Sequence, residues 1–346
     1  MRVSLNKTAQ AGIQAFFRNQ AELNNVSFEF VSEGNLFAVI PTVEHRWITG
    51  LQDASPFLKR ITVTTCDEMI VNDLNYESGG IVSGRTNTDK NDRKTKSMGS
   101  VTGIEYKCVV IDHDTHIKFS DLNQWSTNDR KKFLDRISQR RRTSKANDIV
   151  MIGWHGKKAA EESDPVQNPL GEDVAVGWLE HVRTNKPENV LTDSITIGKG
   201  GDYANLDALV IGLKAQIPMH KRKDLVVLAS SDLVDARSMG LAEKADVSET
   251  AGRTVGLAAT YLSNGDEVLT PHFFPEKTVI VTPLANFHHL TKKGSTNIHP
   301  NVNSARSQLE LFNQALETYA IGDYEQIIIA ENVTVAVPLD ETNGGE

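Results

Sequence analysis

The chain has 346 residues, of which 39% are hydrophobic and 24% charged, and its formal net charge is -8 at pH 7. This composition is close to the globular average and argues against a disordered protein. The length exceeds the roughly 250 to 300 residues at which a single core stops growing, so we expect two packed domains with extensions. The acidic balance argues against nucleic-acid binding over the whole surface. The absence of an apolar run of about 18 residues predicts that nothing spans a membrane.

The two cysteines, Cys66 and Cys108, have no metal-ligating companions at a regular spacing. In an intracellular chain such cysteines are more often reduced packing residues than parts of a disulfide framework. We therefore expect synthesis in a reducing cytoplasm.

Apolar residues recur at helical spacing near the N-terminus. They are Ala9, Ile13, Phe16, Phe17, Ala21 and Leu23. This spacing predicts an amphipathic helix of about five turns that ends near Asn24 and Asn25. The simplest interpretation is a helix that packs against its own domain.

Two β-like segments, at 61–71 and 106–119, flank a polar tract at 77–103. The tract is rich in glycine and in charge, and its basic residues are Arg85, Lys90, Arg93, Lys94 and Lys96. Such a composition cannot bury enough apolar surface to form a core of its own. We therefore expect a long excursion between two strands, and a disordered surface loop is one interpretation of it.

A capping-box-like pattern at Ser126–Asp129 predicts the start of a long helix. A helix from there to Gly153 or Gly156 has about 27 residues and a length of ~40 Å. Its basic residues are Arg130, Lys131, Lys132, Arg136, Arg140, Arg141, Arg142 and Lys145. They form either a solvated or salt-bridged face, or a surface that contacts DNA or an acidic neighbour. The candidates for that contact, which would be salt-sensitive with DNA, are Arg136, Arg140, Arg141 and Arg142.

Helix-like and strand-like segments alternate beyond residue 170. The predicted helices are 173–185 and 206–217, and the predicted strands are 225–230, 267–274, 278–284 and 326–337. Together with the β-like segments before residue 120, this order predicts an α+β fold.

The segment Gly198–Asp202 contains glycines and a lysine, which are typical of a phosphate-binding loop. The order is wrong for such a loop, because Lys199 follows a single glycine and Gly200 stands where a hydroxyl residue is needed. We interpret Gly198, Gly200 and Gly201 as a structural turn that leads into the next helix. A nucleotide-binding enzyme built on this turn is the alternative.

The cluster Asp112, His113, Asp114 and His116 has residue types that suit a divalent metal. On a strand, Asp112, Asp114 and His116 share one face, but an ordinary polar sheet surface has the same pattern. A metal-bound interaction module is therefore kept as an alternative, and no metal site is predicted. The chain also lacks the G-x-S-x-G and H-E-x-x-H motifs, so we predict no catalytic residue, no cofactor and no enzyme activity.

Three blocks, in order along the chain, carry a resemblance to a known family. They are 149–170 (IVMIGWHGKKAAEESDPVQNPL), 172–183 (EDVAVGWLEHVR) and 197–210 (IGKGGDYANLDALV), with weaker echoes at 55–60, 224–229 and 271–275. These blocks resemble the major capsid proteins of peduovirus-type tailed phages. The segments 72–105 and 235–265 carry almost none of the resemblance.

The resemblance implies a Hong Kong 97-like capsid fold in which the long helix is the spine of a peripheral domain. The implied segments are an N-terminal helix and arm at 1–55, an extended β-hairpin loop with flanking strands at 56–120, a peripheral domain at 121–187 and 300–340, and an axial domain at 188–299. The polar tract is then an extended two-stranded loop that is ordered by a neighbouring subunit. Its five basic residues would contact acidic groups of that neighbour.

The resemblance further implies a structural protein that self-assembles into the pentamers and hexamers of an icosahedral head enclosing double-stranded DNA. The implied partners are other copies of the chain, a scaffolding protein with protease activity, the portal and the packaged DNA. Assembly would take place in the host cytoplasm, and the final location would be the virion. The N-terminal helix would meet the scaffold and be removed by a cut near Val31 to Leu36. Covalent cross-linking between subunits has no distinctive support in the sequence.

Overall fold

The structure, a computed structural model, describes residues 4–76, 81–90, 92–96, 101–128, 133–244, 261–262 and 265–336. The chain divides into two compact units. Unit 1 comprises Met1–Met69, Lys107–Glu180 and Phe287–Ala320, and unit 2 comprises Ile70–Tyr106, His181–Asn286 and Ile321–Glu346.

Helices and strands are interspersed along the described residues. The helices are α1 (Lys7–Asn24), α2 (Phe28–Ser32), α3 (Pro41–Ala54), α4 (Phe119–Asn128), α5 (Phe133–His155), α6 (Trp178–Asn185), α7 (Leu206–Gln216) and α8 (Ser231–Lys244). The strands are β1 (Phe37–Ala38), β2 (Thr62–Cys66), β3 (Ile70–Tyr76), β4 (Val101–Lys107), β5 (Val109–Asp112), β6 (Thr115–Lys118), β7 (Val190–Leu191), β8 (Ile195–Ile197), β9 (Val226–Ala229), β10 (Val268–Leu269), β11 (Val279–Thr282), β12 (Phe287–Lys292), β13 (Asn297–Asn303), β14 (Gln308–Ile321), β15 (Ile328–Ala330) and β16 (Val333–Val335). This mixture confirms the predicted α+β class.

The sheet of unit 1 is organised by β14. The main path of the sheet runs β1-β13-β14-β12-β2, and β5 and β6 also pair with β14. The 14 residues of β14 are enough to pair with β13 and with both β6 and β5 in succession. Alternate residues of the strand are buried, as expected for one face on a core; these include Leu309, Leu311, Asn313 and Ala315.

The N-terminal helix α1 is present where its apolar spacing predicts it. The Asn6 side chain caps its start by accepting from Ala9 N at 2.7 Å, and Asn25, with φ of 55°, follows its end. The predicted stripe is buried at Ala9, Ile13, Phe16, Phe17 and Ala21. It forms one cluster with Ile117, Phe119, Leu122, Ile137, Leu309 and Leu311. The helix is therefore part of the core of unit 1.

The predicted start of the long helix at Ser126–Asp129 is wrong. Ser126 lies near the end of a separate helix, α4, where its Oγ donates to Asn123 O at 2.8 Å. The long helix α5 has 23 residues, which gives a length of about 35 Å. Its C-terminal end agrees with the prediction, because it finishes at His155 and Gly156 follows.

An aromatic cluster packs the end of α5 into the core of unit 1. Its rings, with centroids 5.0 to 6.4 Å apart, belong to Phe57, Trp154, Trp178, Phe287 and Tyr319. Gly153 makes this packing possible, because a Cβ there would lie 2.1 Å from a ring carbon of Trp178. The start of the first block of the resemblance, at 149–156, thus packs into the core, whereas most of 157–170 is exposed.

Unit 2 contains a five-stranded sheet in the order β10-β9-β11-β15-β7. The inner strands β9 and β11 are buried along their whole length, which is typical of strands covered on both faces. Apolar residues of α7 join the core of this sheet; they are Leu206, Leu209, Val210 and Leu213. A separate parallel pair, β8 with β16, contributes Ile195, Ile197 and Val333 to the same core.

The two units differ from the predicted segments. The predicted axial segment 188–299 includes β12, which lies in unit 1 because it pairs in parallel with β2. The predicted peripheral segment 300–340 includes β15, which lies in unit 2 because it pairs with β11 and β7. Residues 337–340 lie outside the described part of the chain.

Three predicted elements also differ in extent. The predicted helix 173–185 begins only at Trp178, and the predicted strand 267–274 is reduced to Val268–Leu269. The predicted strand 326–337 is two strands, because Asn332 adopts a φ of 57° between β15 and β16. A positive φ interrupts a strand, so the two halves join different sheets.

The structure brings the two cysteines together. The Sγ atoms of Cys66 and Cys108 lie 3.8 Å apart, and both residues are free thiols. Burial raises the pKa of Cys66, and it raises the pKa of Cys108 to about 12. Both thiols are therefore protonated at neutral pH, which makes them poor nucleophiles.

Candidate functional site

The polar tract forms an excursion that is two-stranded at its base. β3 and β4 pair with each other as a sheet of their own. Farther out, Lys96 Nζ donates to Ile81 O at 3.2 Å, across the excursion. A turn follows Asn87, whose carbonyl accepts from Lys90 N at 3.2 Å. The described residues 81–90 and 92–96 form no helix and no strand.

The described side chains of this excursion at 81–96 are exposed. They include the five predicted contact residues, Arg85, Lys90, Arg93, Lys94 and Lys96, which outnumber the two acidic residues, Asp89 and Asp92. Ile81 is 81% exposed as well. A segment that buries so little of its own surface gains little stability from itself. Contacts with groups outside the excursion are therefore needed to hold residues 81–96 in one position.

The arginines of α5 have different surroundings. Arg140 is exposed and its guanidinium carbon lies 5.7 Å from the ring centroid of Trp125. Arg141 is only 6% exposed and Arg142 is half-buried, and their guanidinium carbons lie 5.3 and 5.9 Å from the ring centroid of Trp47 on α3. Burial, and then the charge of Arg142, lower the pKa of Arg141 to about 10. Arg141 is therefore still protonated at neutral pH.

These positions change the predicted contact surface on α5. Burial removes Arg141 from the surface on which a DNA contact is predicted, and Arg142 is half-buried beside it. Arg136 is half-buried and Arg140 is exposed, so both still reach the surface. The other basic residues at the start of the run, Arg130, Lys131 and Lys132, lie outside the described residues.

Lys145, one turn after Arg141, belongs to a buried charged cluster. Its Nζ lies 2.8 Å from Glu317 Oε2 on β14, and both side chains are 5% exposed. His289 Nε2 lies 3.4 Å from the same oxygen. Burial acts to raise the pKa of Glu317, but Lys145 and His289 outweigh it and lower the pKa to about 2. This end of the basic run is therefore salt-bridged inside unit 1.

Residues 196–203 form a tight turn. Gly198 N donates to Tyr203 O at 2.8 Å, and Gly198 and Gly200 have φ of 130° and 82°, values that favour glycine. A Cβ on Gly201 would lie 2.5 Å from Thr196 O. The Asp202 carboxylate accepts from Thr196 N at 2.8 Å. Because a carboxylate occupies this turn, an added phosphate would meet a like charge there.

The predicted candidates for metal binding are engaged in separate contacts. Asp112 accepts from Gln314 Nε2 at 2.8 Å, and Asp114 accepts from Asn313 N at 3.0 Å. His113 is buried, with its Nδ1 3.0 Å from Asp148, whereas His116 is exposed. Within the described residues, no group of three His, Cys, Asp or Glu side chains is placed to hold a metal ion.

The region of the predicted cut is an exposed turn between α2 and β1. Ser32 and Glu33 are exposed, and Leu36 is 60% exposed. The residues on either side of the turn, Val31 and Phe37, are buried. The side chains of Ser32, Glu33 and Leu36 are therefore accessible to solvent, although α1 before them is part of the core.

Comparison with known proteins decides the family. A family model described as phage major capsid protein, P2 family, matches residues 13–333. The chain belongs to this family. The capsid protein of Escherichia phage P2 is 28% identical to this major capsid protein over 337 residues, with 93% of each chain covered. The major capsid protein of Serratia phage KSP20 is 24% identical over 345 residues, with 95% of this chain and 97% of the relative covered.

Solved capsid structures share the fold of this major capsid protein. A chain of the procapsid of satellite phage P4, determined with the size determination (Sid) protein, is 27% identical, with a TM-score of 0.74 over 87% of this chain and 94% of that chain. A chain of the cyanophage A-1(L) capsid is 11% identical, with a TM-score of 0.51 over 81% and 93% of the two chains. The predicted Hong Kong 97-like fold is confirmed.

The family and the fold together confirm the predicted function as a phage major capsid protein. The role of such a protein is structural, and the protein is a component of the phage virion that assembles into oligomeric capsid shells. The alternative of a nucleotide-binding enzyme built on Gly198–Asp202 is not supported.

Sequence patterns missed two residues that define the charged interior of unit 1. Trp47 on α3 carries both arginine contacts, and no prediction was attached to that helix. Glu317 could have been found from the alternation along β14, because it shares the inward phase of Leu309 and Leu311. A carboxylate on the core face of a strand requires a buried partner.

Proposed function

We propose that this major capsid protein forms the pentamers and hexamers of an icosahedral head that encloses double-stranded DNA. The observation that carries the proposal is the family match over 13–333, together with the similarity to a procapsid chain at a TM-score of 0.74. A shell of this kind is stable because many modest contacts are closed by symmetry, so that later contacts form at high effective concentration. Its partners are a scaffolding protein with protease activity, the portal and the packaged DNA, and it assembles in the host cytoplasm.

We also propose a structural role for each part of the chain. Unit 1 is the peripheral domain, with α5 as its spine helix, and most of unit 2 is the axial domain. The extended loop between β3 and β4 contacts a neighbouring subunit through Arg85, Lys90, Arg93, Lys94 and Lys96. Support comes from the exposure of these five side chains and from the lack of a core in the loop.

The remaining surface arginines of α5, Arg136 and Arg140, contact packaged DNA or an acidic neighbour. Support comes from the exposure of Arg140 and the partial exposure of Arg136, whereas Arg141 is buried and the half-buried Arg142 packs on Trp47 with a buried Nε. A phosphate contact at such residues displaces counterions, so its strength decreases as salt increases.

The N-terminal segment meets the scaffold and is cut in the turn at 31–36. Exposure of Ser32, Glu33 and Leu36 supports this position. Because α1 packs into the core of unit 1, cleavage alone does not release it. The cut segment leaves only when something replaces its apolar contacts or when the subunit rearranges.

Electron microscopy of the expressed chain tests the proposed function. Co-expression with its scaffolding protein should give closed shells of one size, with both fivefold and sixfold clusters of subunits. Expression without the scaffold is the control and should give fewer or irregular shells. Small soluble oligomers under every condition, with no closed particle, would contradict the proposal.

A further inference from the structure

A cavity of about 240 Å³ lies within unit 1 between α1, α3, α5 and the strand β13. Three arginines line it, namely Arg46, Arg141 and Arg142. Neutral polar groups are added by Asn19, Gln20 and Ser138. The cavity therefore gathers three positive charges, of which Arg141 is buried, Arg142 is half-buried and Arg46 is exposed.

Arg141 and Arg142 are not ion-paired with the described residues that line this cavity. The Nε atoms of both guanidinium groups are buried and have no hydrogen-bond partner, and neither side chain forms an ion pair with any of the described residues. Arg141 is 6% exposed. Because its pKa stays at about 10, this buried side chain carries a full charge at neutral pH.

The surrounding groups do not offset that charge. Both guanidinium groups contact the Trp47 ring, but a cation–π contact stabilises a cation by less than its burial costs. Glu44 also lines the cavity, and its carboxylate accepts from Thr296 Oγ1 at 2.7 Å and from Gly294 N at 3.1 Å rather than pairing with Arg141 or Arg142. One carboxylate does not balance three arginines, and because buried charges in proteins are normally paired, the cavity retains an excess of positive charge.

We propose that the cavity is a binding site for a small oxyanion of the phosphate class, held by Arg141 and Arg142. The planar guanidinium group donates two parallel hydrogen bonds to such an anion. The volume of the cavity equals that of roughly eight liquid water molecules, which leaves room for a phosphate and part of its hydration. Because Arg46 on α3 also lines the cavity, a bound anion would link α3 to α5 and stabilise unit 1.

Thermal unfolding of purified, unassembled full-length subunits tests the site. Inorganic phosphate is titrated at constant ionic strength against chloride. The wild-type chain should show a saturable rise in Tm, as expected for a ligand that binds only the folded state. Calorimetric titration with phosphate should show at least a tenfold loss of affinity in Arg141→Gln and in Arg142→Gln. Arg142→Gln changes a half-buried side chain, so it can be used for the titration if Arg141→Gln does not fold.

Lys157→Gln is the matched control, because Lys157 is an exposed cation of unit 1, two residues beyond the end of α5, and does not line the cavity. Phosphate also raises Tm through exclusion from protein surfaces, and that non-saturable part should be equal in all variants. An equal phosphate response in the wild type, Arg141→Gln, Arg142→Gln and Lys157→Gln would overturn the proposal, as would the absence of saturable binding to the wild type.

Assembled shells distinguish two sources of the oxyanion. If a free anion fills the cavity, the phosphate response persists after assembly. If a side-chain carboxylate of a second copy fills it, the response seen in subunits disappears in shells, and Arg141→Gln shells dissociate more readily than Lys157→Gln shells. Both results support an oxyanion site and differ only in where the anion comes from.

Discussion

A buried pair of opposite charges connects α5 to β14 inside unit 1. Lys145 and Glu317 are paired at 2.8 Å, and His289 lies beside them. Loss of one member of a buried pair leaves an uncompensated charge, which costs more than loss of both members. The pair therefore couples α5 to β14 more strongly than an exposed pair of the same length could.

A double-mutant cycle on this pair should show strong coupling. Lys145→Met and Glu317→Met should each lower the free energy of unfolding by about 3 to 5 kcal/mol, because each leaves one buried ion alone. The double variant should lose clearly less than the two single losses combined, as measured by urea unfolding of unassembled subunits. The control is Lys59→Met, whose side chain is 71% exposed and 3.9 Å from Asp53; its loss should not exceed about 1 kcal/mol. Additive losses in the cycle would contradict the coupling.

The Glu317 carboxylate should make the free energy of unfolding depend on pH. The pKa of Glu317 is lowered from 4.5 to about 2 in the folded chain, so its contribution to stability is complete above the unfolded value and is lost as pH falls towards the folded value. The difference in unfolding free energy between the wild type and Glu317→Gln should therefore shrink from about pH 4.5 to pH 2. A difference that stays constant across this window would show that Glu317 is not ionised in the folded state.

At the scale of elements, periodic apolar patterns were more reliable than short motifs. The apolar spacing from Ala9 to Ala21 predicts α1 correctly, because about three turns of helix repeat the same signal. The capping-box pattern at Ser126–Asp129 is only four residues long, and it lies at the end of α4 rather than at the start of α5. A short motif carries little information about which helix end it marks.

The extended loop should affect assembly without affecting the fold of the subunit. Arg93→Glu combined with Lys94→Glu should reduce the yield of shells strongly, because both side chains are exposed and would repel the acidic groups of a neighbour. Circular dichroism and the Tm of the unassembled subunit should not change. The control is Arg93→Lys with Lys94→Arg, which keeps both charges. Normal assembly by the charge-reversed variant, scored by sedimentation and electron microscopy, would exclude an intersubunit role for these two residues.

At the scale of the whole molecule, long-range pairing decides how the chain is divided. β12 joins β2, more than 200 residues earlier in the chain, so residues 287–292 of the predicted axial segment lie in unit 1. β15 joins β11 and β7 instead of the sheet of unit 1. No local signal marks either choice, since a strand pattern does not specify its partner.

Packaged heads should reveal whether α5 contacts DNA. The double variant Arg136→Gln with Arg140→Gln should lower the salt concentration at which heads lose their DNA. In a plot of the logarithm of the DNA-binding constant against the logarithm of the salt concentration, the slope should decrease by about one for each lost phosphate contact. Lys199→Gln, which removes an exposed charge from the turn in unit 2, is the control and should leave the profile unchanged. An unchanged titre and salt profile in the double arginine variant would remove the proposed contact.

Sequence patterns alone determined the family, the fold class, the helix α1, the end of α5 and the turn-forming role of the glycines at 198–201. Each of these depends on neighbours along the chain or on a run of matching residues. Only the tertiary structure decided that β14 organises unit 1, that Cys66 meets Cys108, and that Arg141 is buried while Arg140 is exposed. The physical reason is that burial and pairing are set by residues far away in the chain, and a basic run looks the same in sequence whether it faces water or a tryptophan.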